Sequence, residues 1–304
     1  MPDPSNSAAP AALRGVLAAV FAYVFWGIAP VYFKALGSVG AGEIIAHRIL
    51  WSVLLLAVVL LLMRRRAGVD ALRGNPRLLL WLAGTTVLVT SNWLVYVWAV
   101  NAGRVLEASL GYFINPLVSV LLAALLLKER LRRPQQVAFV LATLGVLNQI
   151  VQVGALPWIS LFLAVTFALY GFLRKRLAID PVSGLLVETL LAAPFALLYL
   201  HRLGADGSLA FGQQGLAVDV LLVAAGAVTS LPLVLFTYGA QRLRLTTMGF
   251  LQYLAPTLMF LLGALVYGEP LDAGRLMTFV LIWGGLLIYT WDVVRQSMAP
   301  RAAS

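Results

Sequence analysis

Glu107-Ala-Ser-Leu-Gly-Tyr-Phe-Ile-Asn-Pro-Leu117, followed by Lys128-Glu129-Arg130-Leu131, has a counterpart in the second half of the chain. That counterpart is Gln252-Tyr-Leu-Ala-Pro-Thr257, followed by Glu269 and Leu271. One offset of 140 residues (256 − 116) places Asn115-Pro116 on Ala255-Pro256, Glu129 on Glu269, Leu131 on Leu271 and Arg104 on Arg244. Trp26-Gly27 and Tyr170-Gly171 match at a similar offset. The chain of 304 residues is therefore read as two copies of one unit.

Outward from these stretches, each copy holds five apolar segments. They cover 14–36, 41–63, 77–100, 105–127 and 134–152, then 157–176, 182–200, 217–239, 246–267 and 274–291. A bilayer-spanning helix needs about 20 apolar residues, so all ten are candidate spans. The composition agrees: 62% of residues are hydrophobic and 11% charged. Soluble domains carry about 45–50% and about 25%. Five helices per copy is an odd number, so the second copy sits upside down relative to the first. The expected fold is an all-α membrane protein of ten transmembrane helices in two inverted five-helix repeats. Residues 1–12 read as a disordered tail, 13–152 as the first repeat, 153–292 as the second and 293–304 as a C-terminal tail. The run after Arg14 is too long for a signal-peptide core and lacks a small-x-small cleavage site, so it reads as a span. An inverted repeat around a midplane site is the architecture of many secondary transporters.

The net charge of +10 has a membrane explanation. With the N-terminus inside, about 17 Lys and Arg fall in cytoplasmic segments, among them Arg64, Arg65, Arg66, Lys128, Arg130, Arg174, Lys175 and Arg176. About 4 fall on the other side, namely Lys34, Arg104, Arg202 and Arg275. Such an excess sets orientation. It predicts a multi-pass protein of the cell inner membrane with both termini cytoplasmic, and it accounts for the basic balance without nucleic acid. The absence of cysteine excludes disulfide scaffolds, Cys-based metal sites and thiol nucleophiles. Only His47 and His201 are present, and Glu43-Ile-Ile-Ala-His47 lacks the second histidine of a zinc-protease helix. No metal site, cofactor or catalytic residue is expected, and no P-loop is present to use ATP.

The residue pattern resembles the EamA-type transporters of the drug/metabolite transporter superfamily, and within them the RarD branch, named for a chloramphenicol-sensitivity phenotype. The resemblance rests on the stretches above together with Trp26-Gly-Ile-Ala-Pro-Val-Tyr-Phe-Lys34, His47-Arg48, Trp51-Ser52, Asn92-Trp93, Tyr96, Trp98 and Asn101. Tyr170-Gly171, Glu188-Thr189 and Pro232-Leu233 extend it through the second half. It implies two EamA repeats around a central cavity built mainly by helices 1, 3, 4, 6, 8 and 9. It also implies export or exchange of a small metabolite or drug, without naming one.

Candidate site residues follow from polarity inside the spans. Ionisable groups there are costly and mark function by default. Arg48 lies about seven residues into the second segment, ~10 Å deep at 1.5 Å per residue. It reads either as a receptor for an anionic substrate group or as half of a buried ion pair, with Glu107 as the inter-helix partner. His47, Glu107 and Glu188 are candidates for ion pairing or for coupling to protons. Tyr23, Trp26, Asn92, Tyr96, Tyr112, Asn115, Tyr170, Gln252 and Tyr253 combine rings and amides that must face the interior. They read as a cavity lining, with helix–helix hydrogen bonding as the alternative. Pro116 and Pro256, each ~15–17 Å deep at that rise, read as paired helix breaks, because an interior proline removes a backbone hydrogen bond. The cavity is expected between the helices that carry them. Glu129 and Glu269 read as caps on neighbouring helices. Expected partners are a small-molecule substrate, the lipid bilayer and protons as a coupling ion. A non-transporting membrane scaffold or receptor and an intramembrane enzyme are the competing classes.

Overall fold

The computed structural model describes residues 4–63, 75–101, 105–153, 158–266 and 273–298. Ten apolar helical segments follow in order. They are α1 (Pro4–Ala35), α2 (Ala41–Leu62), α3 (Pro76–Asn101), α4 (Val105–Leu126), α5 (Arg133–Val153), α6 (Trp158–Arg176), α7 (Pro181–Ala205), α8 (Leu216–Arg242), α9 (Leu245–Leu261) and α10 (Ala273–Met298). Among the described residues eight helices are long and apolar enough to cross a membrane, and parts of α4 and α9 form two shorter apolar ones. No strand occurs among the described residues. The Arg64–Arg66 run, Arg104, Glu269 and the side chain of Glu107 lie outside them.

Two ends differ from the expectation. Helix α1 begins at Pro4, within the stretch read as a tail, and α10 continues to Met298. Alanine dominates Ser7–Leu13, and alanine is the strongest helix former, so once a span is in place the helix extends outwards. Low hydrophobicity alone did not argue for irregular structure there. Other boundaries have local causes. Asp180 accepts from the Ser183 N–H at 2.9 Å and Pro181 opens α7, the two usual marks of a helix start.

The packing respects the repeat. Helix α1 packs on α8 and the second arm of α9, and α6 packs on α3 and α4. Helix α2 packs on α7 and α8, and α7 on α2 and α3; α5 pairs with α10 and α4 with α9. Advancing every label by five maps this set onto itself. Two copies of a five-helix unit therefore share one bundle. Close approach is secured by small residues, as lipid supplies no hydrophobic drive between helices. A Cβ on Gly27 would sit 2.6 Å from Leu258 of α9, and one on Gly226 would meet the Trp51 backbone of α2 at 2.5 Å. Large apolar side chains line the outside instead, including Leu61, Val151, Phe195, Leu216 and Leu287. That belt is what a lipid-facing surface requires.

The two prolines act differently. Helix α9 is interrupted at Tyr253, between Leu245–Gln252 and Leu254–Leu261, and passes into a π-helical turn over Leu262–Val266. Pro256 stands in the first turn of the second arm, where a missing N–H costs little. Its ring is incompatible with a continuous helix back to Gln252. Helix α4, by contrast, runs unbroken through Pro116. The expectation of two equivalent breaks is corrected: one helix breaks and its repeat mate does not.

A candidate substrate cavity between the repeats

A cavity of about 100 Å³ lies at the centre of the bundle, well above the ~10–15 Å³ that one water needs. Its walls come from both repeats: Tyr23, Trp26 and Phe33 of α1, Arg48 of α2, Asn92, Trp93 and Tyr96 of α3, and Tyr112 and Asn115 of α4. Phe167 of α6, Thr229 of α8 and Gln252, Pro256 and Met259 of α9 complete them. Eight of the ten residues expected to bind substrate therefore share one cavity: Tyr23, Trp26, Arg48, Asn92, Tyr96, Tyr112, Asn115 and Gln252. Pro256 lines it too, whereas Pro116 is buried beside Gly249 of α9.

Tyr170 and Tyr253 lie away from the lining. Both are fully buried; the Tyr253 hydroxyl donates to the Phe113 carbonyl at 3.3 Å and the Tyr170 hydroxyl to Glu188 at 3.2 Å. Tyr170 instead backs the cavity wall. Its ring stacks on Phe236 at 6.3 Å, and Phe236 packs on Trp26 at 5.7 Å. The polar tip of Tyr170 inside a span gave it an interior face but could not separate the cavity from the layer behind it.

The amides both face the cavity and stitch it together. Asn92 gives both amide hydrogens to α6, to the Leu163 carbonyl and the Thr166 hydroxyl, each at 2.9 Å. Asn115 donates to the Ala164 carbonyl of α6 at 2.7 Å, and its oxygen accepts from the Gln252 side chain of α9. Helix–helix bonding and cavity lining, posed as alternatives, describe the same residues.

Arg48 is held from three sides. Its Nε donates to the Thr229 hydroxyl of α8 at 2.8 Å, and that hydroxyl donates onward to the Ala225 carbonyl at 2.7 Å. The guanidinium carbon stands 4.7 Å from the centre of the Trp93 ring and 5.5 Å from that of Phe33, within cation–π range. Among the described residues the phenols of Tyr112, Tyr32 and Tyr96 stand near enough to interact with its charge. Among the described residues no carboxylate forms an ion pair with it.

The remaining charged candidates sit elsewhere. His47 faces away from the cavity: its Nδ1 accepts from Trp51 at 3.1 Å, its ring stacks on Phe211 at 4.8 Å, and Nε2 lies 3.9 Å from Glu43. Glu43 in turn accepts the Ala210 and Phe211 N–H groups at 2.9–3.0 Å, pinning the connection before α8. Glu188 lies in a buried cluster behind Tyr170, accepting from Thr85 at 2.5 Å and standing 3.7 Å from Arg174.

Arg174, counted among the cations of the cytoplasmic segments, is not an exposed charge. It is fully buried, and its guanidinium fills the space a side chain on Gly184 would take. Helix α6 reaches Arg176, and Gly184 and Glu188 stand one turn apart on α7, giving the guanidinium both room and a partner. That Gly-x-x-x-Glu spacing was the available signal. Trp93, Phe33, Phe167, Thr229 and Met259 were missed as lining residues: the four apolar ones carry no mark of which face they show, and a threonine can satisfy its hydroxyl on its own helix, as Thr229 does on the Ala225 carbonyl. Glu129 caps the first arm of α9, accepting the Leu245 and Thr246 N–H groups at 2.9 and 3.1 Å and the Thr246 hydroxyl at 2.7 Å, with Arg244 at 3.5 Å. Burial pushes its carboxyl up, but these donors and the Arg244 charge outweigh it and hold the group below the ordinary value.

Comparison with known proteins agrees with this layout. The EamA-like transporter family matches twice, over residues 13–148 and 156–291. An uncharacterized transporter of Vibrio cholerae is 46% identical over 96% of this chain and 97% of its own. Protein RarD of Escherichia coli is 45% identical over 92% of this chain and 95% of its own. The chloramphenicol-sensitive protein RarD of Pseudomonas aeruginosa is 32% identical over 93% and 95%. One crystal structure superposes with a TM-score of 0.70 over 95% of this chain and 99% of that one, at 21% identity, a likeness of fold.

Proposed function

The chain belongs to the EamA-like transporter family, and from that premise we propose that it is a secondary-active transporter. It moves a small metabolite or drug through the central cavity by alternating access. The observation that carries this reading is the cavity itself, lined by α1 to α4 of one repeat and by α6, α8 and α9 of the other. A site at the seam of two like units can open to either side as one unit rocks against the other. The five-helix period makes the repeats inverted, so that the two rocked states mirror each other. The broken α9 supplies the discontinuity on which such motion turns.

The charge bias supports an inner-membrane protein with cytoplasmic termini. About 17 cations fall in segments on that side against about 4 on the other, the kind of excess that sets orientation. Protons are the coupling ion that the residues support, with the buried Glu188 cluster as the place where one would be held. Purified protein in proteoliposomes, offered a broad metabolite panel with and without a pH gradient, tests the reading. Saturable flux or counterflow of a panel member is expected; a sealed, correctly folded preparation that moves none would overturn it. Labelling of an Arg66→Cys variant by an impermeant maleimide from outside intact cells would overturn the orientation.

A further inference from the structure

The donors around the cavity are not equivalent. Asn92 has spent both amide hydrogens on α6, Gln252 donates to Asn115, and the Tyr23 hydroxyl donates to the Met248 carbonyl at 3.2 Å. Arg48 is different. Among the described residues its one hydrogen bond runs from Nε to Thr229, so both terminal nitrogens of this cavity-lining side chain are without a described hydrogen-bond partner. Thr229, Trp93 and Phe33 fix the plane of the group from α8, α3 and α1. A planar fork held in this way is preorganised for two parallel hydrogen bonds to a carboxylate, and little ordering entropy remains to be lost on binding.

Charge balance points the same way. A single guanidinium among rings and committed amides is a buried cation without a described counter-charge. A monoanion neutralises it, whereas a dianionic phosphate would leave one charge uncompensated in a low-dielectric site. The rest of the wall is ring faces, from Trp26, Trp93, Tyr96 and Phe167. Apolar walls with a few convergent polar groups suit a ligand with a compact hydrophobic body.

We propose that the cargo is a small amphipathic monocarboxylate, with its carboxylate on the free edge of Arg48 and an aromatic or branched aliphatic body against those rings. The assignment rests on the transporter reading and deepens it by naming a substrate class. The rival occupant of the fork is the Glu107 carboxylate of the same chain.

The test uses the full chain in detergent, titrated by calorimetry with benzoate, phenylacetate and 3-phenylpropionate and with the primary amide of each. At least one acid is expected to bind about tenfold or more tightly than its amide, since the amide gives the fork no charge. Arg48→Gln should erase that preference, and Arg48→Lys should recover only part of it. Should Arg48→Gln fold poorly, Thr229→Val keeps the charge, removes the brace on Nε, and should weaken the acid several-fold more than it weakens the amide. Equal affinity for acids and amides, acid binding that survives Arg48→Gln or is unchanged in Thr229→Val, no binding of any acid, or acid binding that appears only in Glu107→Gln would each overturn the assignment. Flux separates this from the broader reading: proteoliposomes that carry neutral or cationic solutes and no acid keep the transporter and discard the monocarboxylate. Proteoliposomes that carry nothing discard the transporter, and the titration still decides what the fork binds.

Discussion

Helices α4 and α9 occupy equivalent places in the two repeats, and Tyr112, Asn115 and Pro116 of one align with Gln252, Ala255 and Pro256 of the other. Yet α4 is continuous and α9 is split at Tyr253. The residue before each proline separates them. Asn115 ties α4 to the Ala164 carbonyl, and Gly111, one turn earlier, lets the α6 backbone come within 3.2 Å of a Cβ position. Helix α4 is thus held straight along α6 and carries its proline as a local defect. Ala255 has no such hydrogen bond to give. The first arm of α9 leans on α4, with Gly249 against the Pro116 carbonyl, and the second arm leans on α1, with Leu258 against Gly27. A proline permits a break, and the neighbours decide whether it happens.

The largest expected effect comes from cutting the tie that keeps α4 straight. Asn115→Leu removes the second donor to the Ala164 carbonyl and strands the Gln252 amide in the interior, at about 1–3 kcal/mol for the buried group left unpaired. The thermal midpoint in detergent should fall sharply and transport should be lost. A midpoint within a degree of the parent would show that the tie contributes nothing.

The prolines themselves should separate next. Pro256→Ala removes the obstacle to a continuous α9, and transport should slow about tenfold, equivalent to ~1.4 kcal/mol in the barrier. Pro116→Ala restores an N–H to a helix that is already straight and should change transport by no more than about twofold. Equal losses from the two substitutions would erase the distinction drawn here.

The smallest effect concerns where α9 begins. Glu129→Gln weakens a cap and should cost about 1 kcal/mol, within the ~0.5–2 kcal/mol range for caps. Because the Glu129 carboxyl is held below its ordinary value, its contribution is complete above the unfolded value of about 4.3 and is lost as pH falls through the folded one. The gap in thermal midpoint between parent and variant should therefore be constant near neutrality and close in acid. A gap that persists unchanged well below pH 4.3 would contradict the role.

The contrast between these helices also marks what the sequence could disclose. Apolar length located ten segments, and the offset joining Pro116 to Pro256 gave the two-unit layout, because both are written in one dimension. Polar residues in apolar helices, such as Arg48, Asn92 and Gln252, identified the cavity because burial demands partners for them. Straightness was hidden: Asn115 and Ala255 announce nothing about α6 or α1 until the helices are assembled. The burial of Arg174 was hidden for the same reason, since a cation at a helix end shows no partner until Gly184 and Glu188 are seen to enclose it. Trp93, Thr229 and Met259 were silent because their neighbours, and not their chemistry, turn them towards the cavity.

The central claim is that the cavity between the repeats is reached from each side of the membrane in turn. Met259 lines it from the second arm of α9, and the chain has no native cysteine. A Met259→Cys variant, oriented uniformly in proteoliposomes, can be challenged with an impermeant maleimide added to the outside or trapped in the lumen. The account predicts labelling from both sides, with the faster side exchanging when the transport gradient is reversed. Labelling from one side alone, under every gradient, would contradict it.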